Sequence, residues 1–173
     1  MPIPERQTRV VYRSDARQFA QGDVIPPFGD HLPELKGGHR DAEELIRATH
    51  DNGIDLRANY LYVFRDFAWA HRYWALGKPR YFYRATVEVD AILHSGDMHI
   101  FNQIPTLSTP EQKESFARRY WRGDESDTES KVELIVRQAT VLEVLHTPAE
   151  QGAAKRELFR SKGQDDSLPE IKG

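Results

Sequence analysis

The sequence contains no cysteine, which excludes a disulfide scaffold, a thiolate nucleophile and thiolate metal sites such as zinc fingers. It also contains no segment close to the roughly 20 apolar residues that cross a membrane. The N-terminal residues MPIPERQTR lack the apolar stretch of a secretory signal. We therefore expect a soluble protein without a membrane partner, either cytoplasmic or delivered by a specialised secretion system.

Neither sign of charge dominates, because 24 lysines and arginines stand against 27 aspartates and glutamates, for a net charge of -3. No global positive field therefore draws the protein to nucleic acid or to anionic lipid, and any phosphate recognition must be local. The seven histidines do not fall at spacings typical of a metal pair on one helical face, so we expect no metal site.

A single mixed domain fits the 173 residues and the 39% hydrophobic content. Helical and strand patterns alternate irregularly rather than as βαβ units, which predicts an α+β fold. We place one domain at residues 1–147. Residues 148–173 are polar and are predicted to form a C-terminal tail that is partly helical.

Local patterns predict most of the elements. Strand composition occurs at Thr8–Tyr12, Tyr60–Phe64 and Arg80–Val89, and helices are predicted from Asp41 to Asn52-Gly53, after Asp66 through Trp74, and from the capping box at Thr109 to Trp121. Residues Ala91–Ile104 are predicted as a strand extension and a loop. The run VELIVRQATVLEVL reads as two strands or one long bent strand.

The segment VYRSDAR places Arg13, Asp15 and Arg17 directly behind a β-branched and aromatic run. An arginine at the inner edge of a core strand is suited to bidentate capture of a phosphate or a carboxylate. The alternative is a surface strand that carries ordinary solvated charges.

Three further residues complete a candidate site. Glu133 opens the apolar strand ELIV, and a carboxylate there is suited to stabilise an oxocarbenium-like transition state, although a solvent-facing rim residue is the alternative. Tyr62 is suited to stack on a heterocycle or to hydrogen-bond through its hydroxyl, and Phe64 offers a second platform. For both aromatics, the alternative is a place in the core.

The order of these segments resembles the ADP-ribosyltransferase superfamily. VYRSDAR is similar to the first-strand motif of cholera-toxin-like and pertussis-toxin-like transferases, with Arg13 in the place of their arginine. YLYVFRDFAWAH is similar to their strand-plus-helix, with Tyr62-Val63-Phe64 where they carry Ser-Thr-Ser. GDVIPPFG and RANYLYVFRDFAWAHRYW are also similar to rifampin ADP-ribosyltransferases, which use a tyrosine there. The toxin pattern makes Glu133 the catalytic acid and the rifampin pattern points to Asp97; we favour Glu133.

The resemblance implies an ADP-ribosyltransferase-like fold of two packed small sheets with flanking helices. It implies NAD as a substrate, bound by Arg13, Ser14, Asp15 and Phe64, with Glu133 and Tyr62 as catalytic residues and no metal. The Glu-x-Glu pair of arginine-modifying toxins is absent because Lys131 takes the earlier position. The acceptor of ADP-ribose therefore stays open between protein, nucleic acid and small molecule.

Three alternatives to a transferase remain open. An NAD glycohydrolase would use water as the acceptor. A catalytically inactive relative would bind a nucleotide or a partner without turnover, as the missing Glu-x-Glu and Ser-Thr-Ser elements suggest. A nucleic-acid-binding module is the third, and the acidic charge balance disfavours it.

Overall fold

The protein is described here from a computed structural model, which covers residues 2, 3 and 5–163. The strands are β1 (Thr8–Asp15), β2 (Val24–Ile25), β3 (Leu61–Phe64), β4 (Tyr81–Glu88), β5 (Ile92–Asp97), β6 (Val132–Val136) and β7 (Ala139–His146). The α-helices are α1 (Gly37–Ala48), α2 (Gly53–Ala58), α3 (Phe67–Leu76), α4 (Met98–Gln103), α5 (Pro110–Arg122) and α6 (Gln151–Gly163). Mixed helices and strands confirm the predicted α+β class.

The strands form one antiparallel sheet of seven strands in the order β2-β7-β4-β1-β3-β6-β5. β1 pairs with β4 along its whole length, from Thr8 opposite Glu88 to Asp15 opposite Tyr81. By contrast, β1 meets β3 at a single register pair, Tyr12 opposite Phe64. We call this junction the seam, and it divides the sheet into a β1 half (β2-β7-β4-β1) and a β6 half (β3-β6-β5).

The sequence predicted two small sheets, and the structure corrects this to one, since the seam joins the halves by hydrogen bonding. The two halves nevertheless share one apolar core, which contains Val11, Tyr83 and Ala85 from the β1 half and Leu61, Val63 and Leu134 from the β6 half. Packing of twisted sheet halves over a common core is how a long sheet curls. The prediction of two separate sheets is therefore wrong, because the strands are hydrogen-bonded into one sheet. The two halves do pack on one shared core.

Helices cover the outer faces. Helices α1, α4 and α5 pack through a second apolar cluster that includes Ile46, Phe101 and Tyr120. Helix α3 packs through a third cluster around Trp74 and Phe82. No helix in the described part of the chain is long and apolar enough to span a membrane.

Several element ends follow their sequence signals. The capping box at Thr109 is present, with the Thr109 hydroxyl accepting from the Gln112 amide, and α5 ends at a left-handed Gly123. Helix α3 begins after Asp66 and ends before Gly77, as predicted. The VELIVRQATVLEVL run forms two strands, β6 and β7.

Two predicted elements are wrong. The first helix ends at Ala48 rather than near Gly53, which instead begins α2. A Cβ at Gly53 would lie 2.2 Å from the carbonyl oxygen of Arg47, so glycine serves a close approach between α1 and α2 rather than a helix cap. Residues 98–103, predicted as loop, form α4, whose first turn is capped by Asp97 accepting from the amide of His99.

The predicted tail contains a 3-10 turn at Pro148–Glu150 and helix α6. The Gln151 side-chain amide donates to the carbonyl oxygens of Trp74 and Gly77, each at 2.7 Å, and this ties α6 to the end of α3. Ala154 and Leu158 pack on the same apolar cluster as α3. Residues 164–173 of the predicted tail lie outside the described residues.

Candidate functional site

A cavity of about 350 Å³ opens beside the seam. Its volume lies within the range of small-molecule sites. The lining includes every residue that the sequence predicted for the site, namely Arg13, Ser14, Asp15, Tyr62, Phe64 and Glu133. The chain thus brings together residues that are up to 120 positions apart.

The register explains how Glu133 joins this group. Along β6, Val132, Leu134 and Val136 face the shared core, so alternation turns Glu133 to the other face. Glu133 pairs with Phe64, which puts the two side chains on the same face. Tyr12 pairs with Phe64 and so shares its face of the sheet. Arg13, the next residue along β1, therefore points to the opposite face. It reaches the cavity because β1 and β3 part after the seam.

Arg13 closes the gap between the parting strands. Its Nη1 donates to the carbonyl oxygen of Tyr62 at 2.9 Å, and its Nε donates to Oδ2 of Asp15 at 2.9 Å. Its Nη2 also lies 2.9 Å from the same carboxylate oxygen. All three guanidinium nitrogens therefore have partners within the protein.

Asp15 is the centre of a local ion cluster with Arg13 and Arg17, which we call the Arg13 cluster. Arg17 contacts both Asp15 oxygens and donates to the carbonyl of Pro26 at 2.7 Å, which fixes the glycine- and proline-containing loop over the site. Burial acts to raise the pKa of Asp15, but the hydrogen bonds and charges of Arg17 and Arg13 lower it below its ordinary value. Asp15 is thus an ionised structural acid between two cations.

On the other side of the seam lies a second buried ion cluster, formed by Glu43, Arg57 and Glu133, which we call the Arg57 cluster. Arg57 makes a bidentate contact with Glu43, in which its Nε donates to Oε1 at 2.9 Å and its Nη2 donates to Oε2 at 2.8 Å. Its Nη1 donates to Oε1 of Glu133 and, at 2.8 Å, to the hydroxyl of Tyr120. The exposed fraction of the Arg57 side chain is 3%, so these contacts are almost fully desolvated.

Only one carboxylate oxygen of Glu133 accepts hydrogen bonds from the described residues. Oε1 accepts from Arg57 and, at 2.9 Å, from the Tyr120 hydroxyl. Oε2 accepts no hydrogen bond from any residue that the structure describes. A carboxylate fixed through one oxygen leaves the other to accept a hydrogen bond from a ligand hydroxyl.

A glycine makes this arrangement fit. Gly96 on β5 pairs directly with Glu133. A Cβ at Gly96 would lie 2.3 Å from the ring of Tyr120, closer than packed atoms approach. The absence of a side chain there allows the Tyr120 ring to cross β5 and place its hydroxyl on Glu133.

Tyr62 supports Arg57 rather than projecting a free hydroxyl. Its hydroxyl donates to the backbone carbonyl of Arg57, and its ring lies 4.7 Å from the Arg57 guanidinium carbon. The ring also meets His31 edge-on, at 5.4 Å between centroids. Burial raises the pKa of Tyr62, so the hydroxyl stays protonated and remains a donor.

Phe64 and Ser14 line the cavity on the side of α3. The Phe64 ring packs 5.0 Å from the ring of Tyr73, so it forms part of an aromatic wall. Ser14 is 5% exposed, and its hydroxyl makes no hydrogen bond with the described residues. Ser14 therefore offers an uncommitted polar group to a ligand.

Asp97, the acid to which the rifampin pattern pointed, lies outside this cavity. It is fully buried, and its two oxygens accept from the backbone amides of His99, Ser126 and Lys131. These bonds fix the start of α4 and the entry to β6. The geometry gives Asp97 a structural role.

Sequence reasoning missed two of the three residues of the Arg57 cluster. Arg57 and Glu43 lie on helices with ordinary charged sequences, where an arginine or a glutamate normally faces solvent. Glu43 does carry a signal: with Ala42 and Ile46 it falls on the buried stripe of α1. A charge on that stripe requires a buried partner.

Charge is divided unevenly along the cavity. Near the end of β1, the lining cations Arg13 and Arg80 face the single carboxylate of Asp15. At the other end, Arg57 faces the two carboxylates of Glu43 and Glu133. Among the arginine, aspartate and glutamate side chains that line the cavity, positive charge is therefore in excess at one end and negative charge at the other.

Two pKa shifts belong to the acidic end. Burial alone would lower the pKa of the Arg57 guanidinium, but Tyr120 and Glu133 raise it well above its ordinary value. Burial acts to raise the pKa of Glu43, but His31 and Arg57 bring it down to about 2. Both groups therefore stay charged across the physiological range.

The residues that the structure describes contain no group of three or more histidines, aspartates or glutamates arranged to hold a metal ion. No protein-family model matches the sequence, and no curated protein matches it significantly. Function is therefore inferred from the cavity and its charges.

Proposed function

We propose that the protein binds NAD in this cavity, cleaves the bond between nicotinamide and ribose, and transfers ADP-ribose to an acceptor. The observation that carries the proposal is the uneven charge of one cavity that Arg13, Tyr62 and Glu133 line together. NAD has the complementary polarity, since its diphosphate is anionic and its reacting ribose carbon becomes cationic as nicotinamide leaves. The order of motifs that resembles ADP-ribosyltransferases supports the same conclusion.

In the proposed reaction, the bond between ribose C1′ and the nicotinamide nitrogen breaks, and nicotinamide leaves as a neutral molecule with the bonding electron pair. Oε2 of Glu133 accepts a hydrogen bond from a ribose hydroxyl, and the carboxylate stabilises the positive charge on the sugar. The acceptor then bonds to C1′ and loses its proton. Arg57 and Tyr120 act as positioning residues, because both hold the other oxygen of Glu133.

A second candidate is NAD binding without turnover. Arg57 contacts Glu133 directly, and a buried cation beside the catalytic acid opposes a cation on the ribose. This contact favours a nucleotide-binding protein, although the excess of one carboxylate at this end favours catalysis.

The test incubates the protein with labelled NAD, with and without cell lysate. Label transferred to a macromolecule or small molecule supports the transferase, free ADP-ribose with nicotinamide supports the NAD glycohydrolase, and binding without either product supports the inactive protein. Failure to bind NAD contradicts the proposal altogether.

The variant Glu133→Gln keeps a hydrogen-bond acceptor for Arg57 and Tyr120 and removes the charge. We expect it to fold and to lose turnover by about 100-fold or more. Glu143→Gln is the matched control, because Glu143 lies exposed on β7 and pairs only with Arg84 among the described residues. An unchanged rate in Glu133→Gln would exclude Glu133 as the catalytic acid.

A further inference from the structure

Arg80 is the uncommitted cation of the cavity. Of the three arginines that line it, Arg13 is bound to Asp15 and to the Tyr62 carbonyl, and Arg57 is bound to Glu43 and Glu133. The Arg80 guanidinium makes no ion pair or hydrogen bond with the residues that the structure describes. It is only partly exposed and lies against the cavity.

The backbone at Arg80 is held firmly. Its carbonyl oxygen accepts from the indole nitrogen of the fully buried Trp74 at 2.6 Å. Pro79 precedes it and restricts the chain at the end of α3. The fixed backbone sets where the side chain begins, and the unpaired guanidinium is free to turn toward an anion in the cavity.

The neighbours of Arg80 complete a site for an anion. Arg80 directly precedes Tyr81, which pairs with Asp15, so it lies beside the end of β1. Ser14, a residue that is 5% exposed and whose hydroxyl has no partner among the described residues, comes from the same end and lines the same cavity. A guanidinium and a hydroxyl that converge on a cavity are suited to phosphate oxygens.

We propose that Arg80 and the Ser14 hydroxyl bind the diphosphate of the ligand. This inference rests on the proposed function and assigns the anion to residues other than Arg13. Arg13, with all three guanidinium nitrogens engaged, is a positioning residue that holds β1 against β3.

Distance favours a ligand in which phosphate and reacting carbon are separated. Arg80 adjoins β4 and Glu133 lies on β6, with β1 and β3 between them. Three strand spacings amount to about 14 Å. Glu133 is in register with Arg84 through Phe64 and Tyr12, so Arg80 lies four residues, about 13 Å, further along the strand. The two side chains shorten the resulting separation of about 19 Å from either end. A dinucleotide spans such an interval, whereas an isolated ribosyl group occupies one end only.

The experiment measures binding of NAD, ADP and adenosine by calorimetry to the full chain and to Arg80→Gln. We expect Arg80→Gln to weaken NAD and ADP by about tenfold to a hundredfold and to leave adenosine unchanged. Ser14→Ala should weaken the same two ligands by less. Arg72→Gln is the matched control, because Arg72 on α3 is also unpaired among the described residues but lines a different groove, with Trp69 and Leu76.

The outcomes separate the two proposals. Equal ADP affinity in Arg80→Gln and the unaltered protein overturns the diphosphate site, and so does an equal loss in Arg72→Gln, which would indicate a general charge effect. Binding of ADP that depends on Arg80, with no binding of NAD, supports the diphosphate site and contradicts the proposed function. Binding of neither ADP nor NAD overturns both.

Discussion

The two buried ion clusters on either side of the seam differ in how the chain builds them. The Arg13 cluster comes from one short segment, because Arg13 and Arg17 are each two residues from Asp15. The Arg57 cluster joins three segments, with Arg57 separated from Glu43 by 14 residues and from Glu133 by 76. The Arg13 cluster therefore depends on local structure, whereas the Arg57 cluster forms only when the complete fold brings its three segments together.

The clusters also differ in their balance of charge. The Arg13 cluster has two cations for one carboxylate. The Arg57 cluster has two carboxylates for one cation, and Arg47, at 3.3 Å from Glu43, flanks it as a second cation. Removing the single carboxylate of the Arg13 cluster or the Arg57 cation of the Arg57 cluster therefore leaves excess charge of opposite sign. It leaves one largely buried and one partly exposed cation in the first case and two buried carboxylates in the second.

The largest effect is expected from Arg57→Met. It leaves Glu133 buried without its cation and leaves Glu43 with only its longer contacts to Arg47 and His31. Removal of one partner from a buried pair costs about 3–5 kcal/mol. Urea unfolding should show this loss in the free energy of unfolding. Arg57→Lys keeps a charge and should lose less. A loss below about 1 kcal/mol in the methionine variant would mean that the cluster is not desolvated as described.

A smaller effect should follow acidification through Glu43. Its pKa of about 2 lies below the 4.5 of an ordinary glutamate, so the unfolded chain binds this proton more tightly than the folded one. The resulting stabilisation is complete above pH 4.5 and is lost as the pH falls toward 2, for a total of about 3 kcal/mol.

Unfolding in urea at several pH values measures this contribution. Glu43→Gln should be less stable at neutral pH and should show a flatter decline between pH 4.5 and 2. Glu44→Gln serves as the control, because Glu44 is half-exposed and pairs with Arg40 on the surface of α1. If both variants keep the slope of the unaltered protein, Glu43 does not stay ionised in the fold.

The smallest effect is expected from Asp15→Asn. Arg17 is partly exposed and turns readily to solvent, so the loss falls mainly on Arg13 and should be about 1–2 kcal/mol in unfolding. The same denaturation measurement compares it with Arg57→Met. A loss as large as that of Arg57→Met would show that the two clusters do not differ in the way their burial suggests.

The same contrast explains what the sequence predicts of the site. Arg13, Ser14 and Asp15 stand together at the end of a clear strand, so a local pattern finds them. Glu133 stands out because it interrupts an apolar strand. Arg57 carries no such signal, and that of Glu43 is limited to its place on the buried stripe of α1. The partners of both residues are distant in sequence, and their burial depends on how α1 and α2 dock against β6.

Some elements of the fold follow from local sequence, and others depend on contacts between segments that are distant in sequence. Capping residues and alternation gave α5, α3 and β4 within a residue or two of their observed ends. Helix α4 was missed because six residues are too few to show a helical period, and its cap, Asp97, is shared with the amides of Ser126 and Lys131. The single sheet was missed because strand order depends on pairings such as β1 with β3 that leave no trace in local composition.

The seam gives the two halves of the sheet unequal amide protection. Between Thr8 and Asp15, β1 pairs with β4 along a continuous ladder, so the β1 amides that donate to β4 exchange with solvent only when the core opens. At the seam, one register pair and the Arg13 bond to the Tyr62 carbonyl hold β1 to β3. Exchange there needs only a small local separation. A ligand that contacts Ser14 in the β1 half and Glu133 in the β6 half bridges the seam. We expect its binding to slow amide exchange in β3 more than in β4.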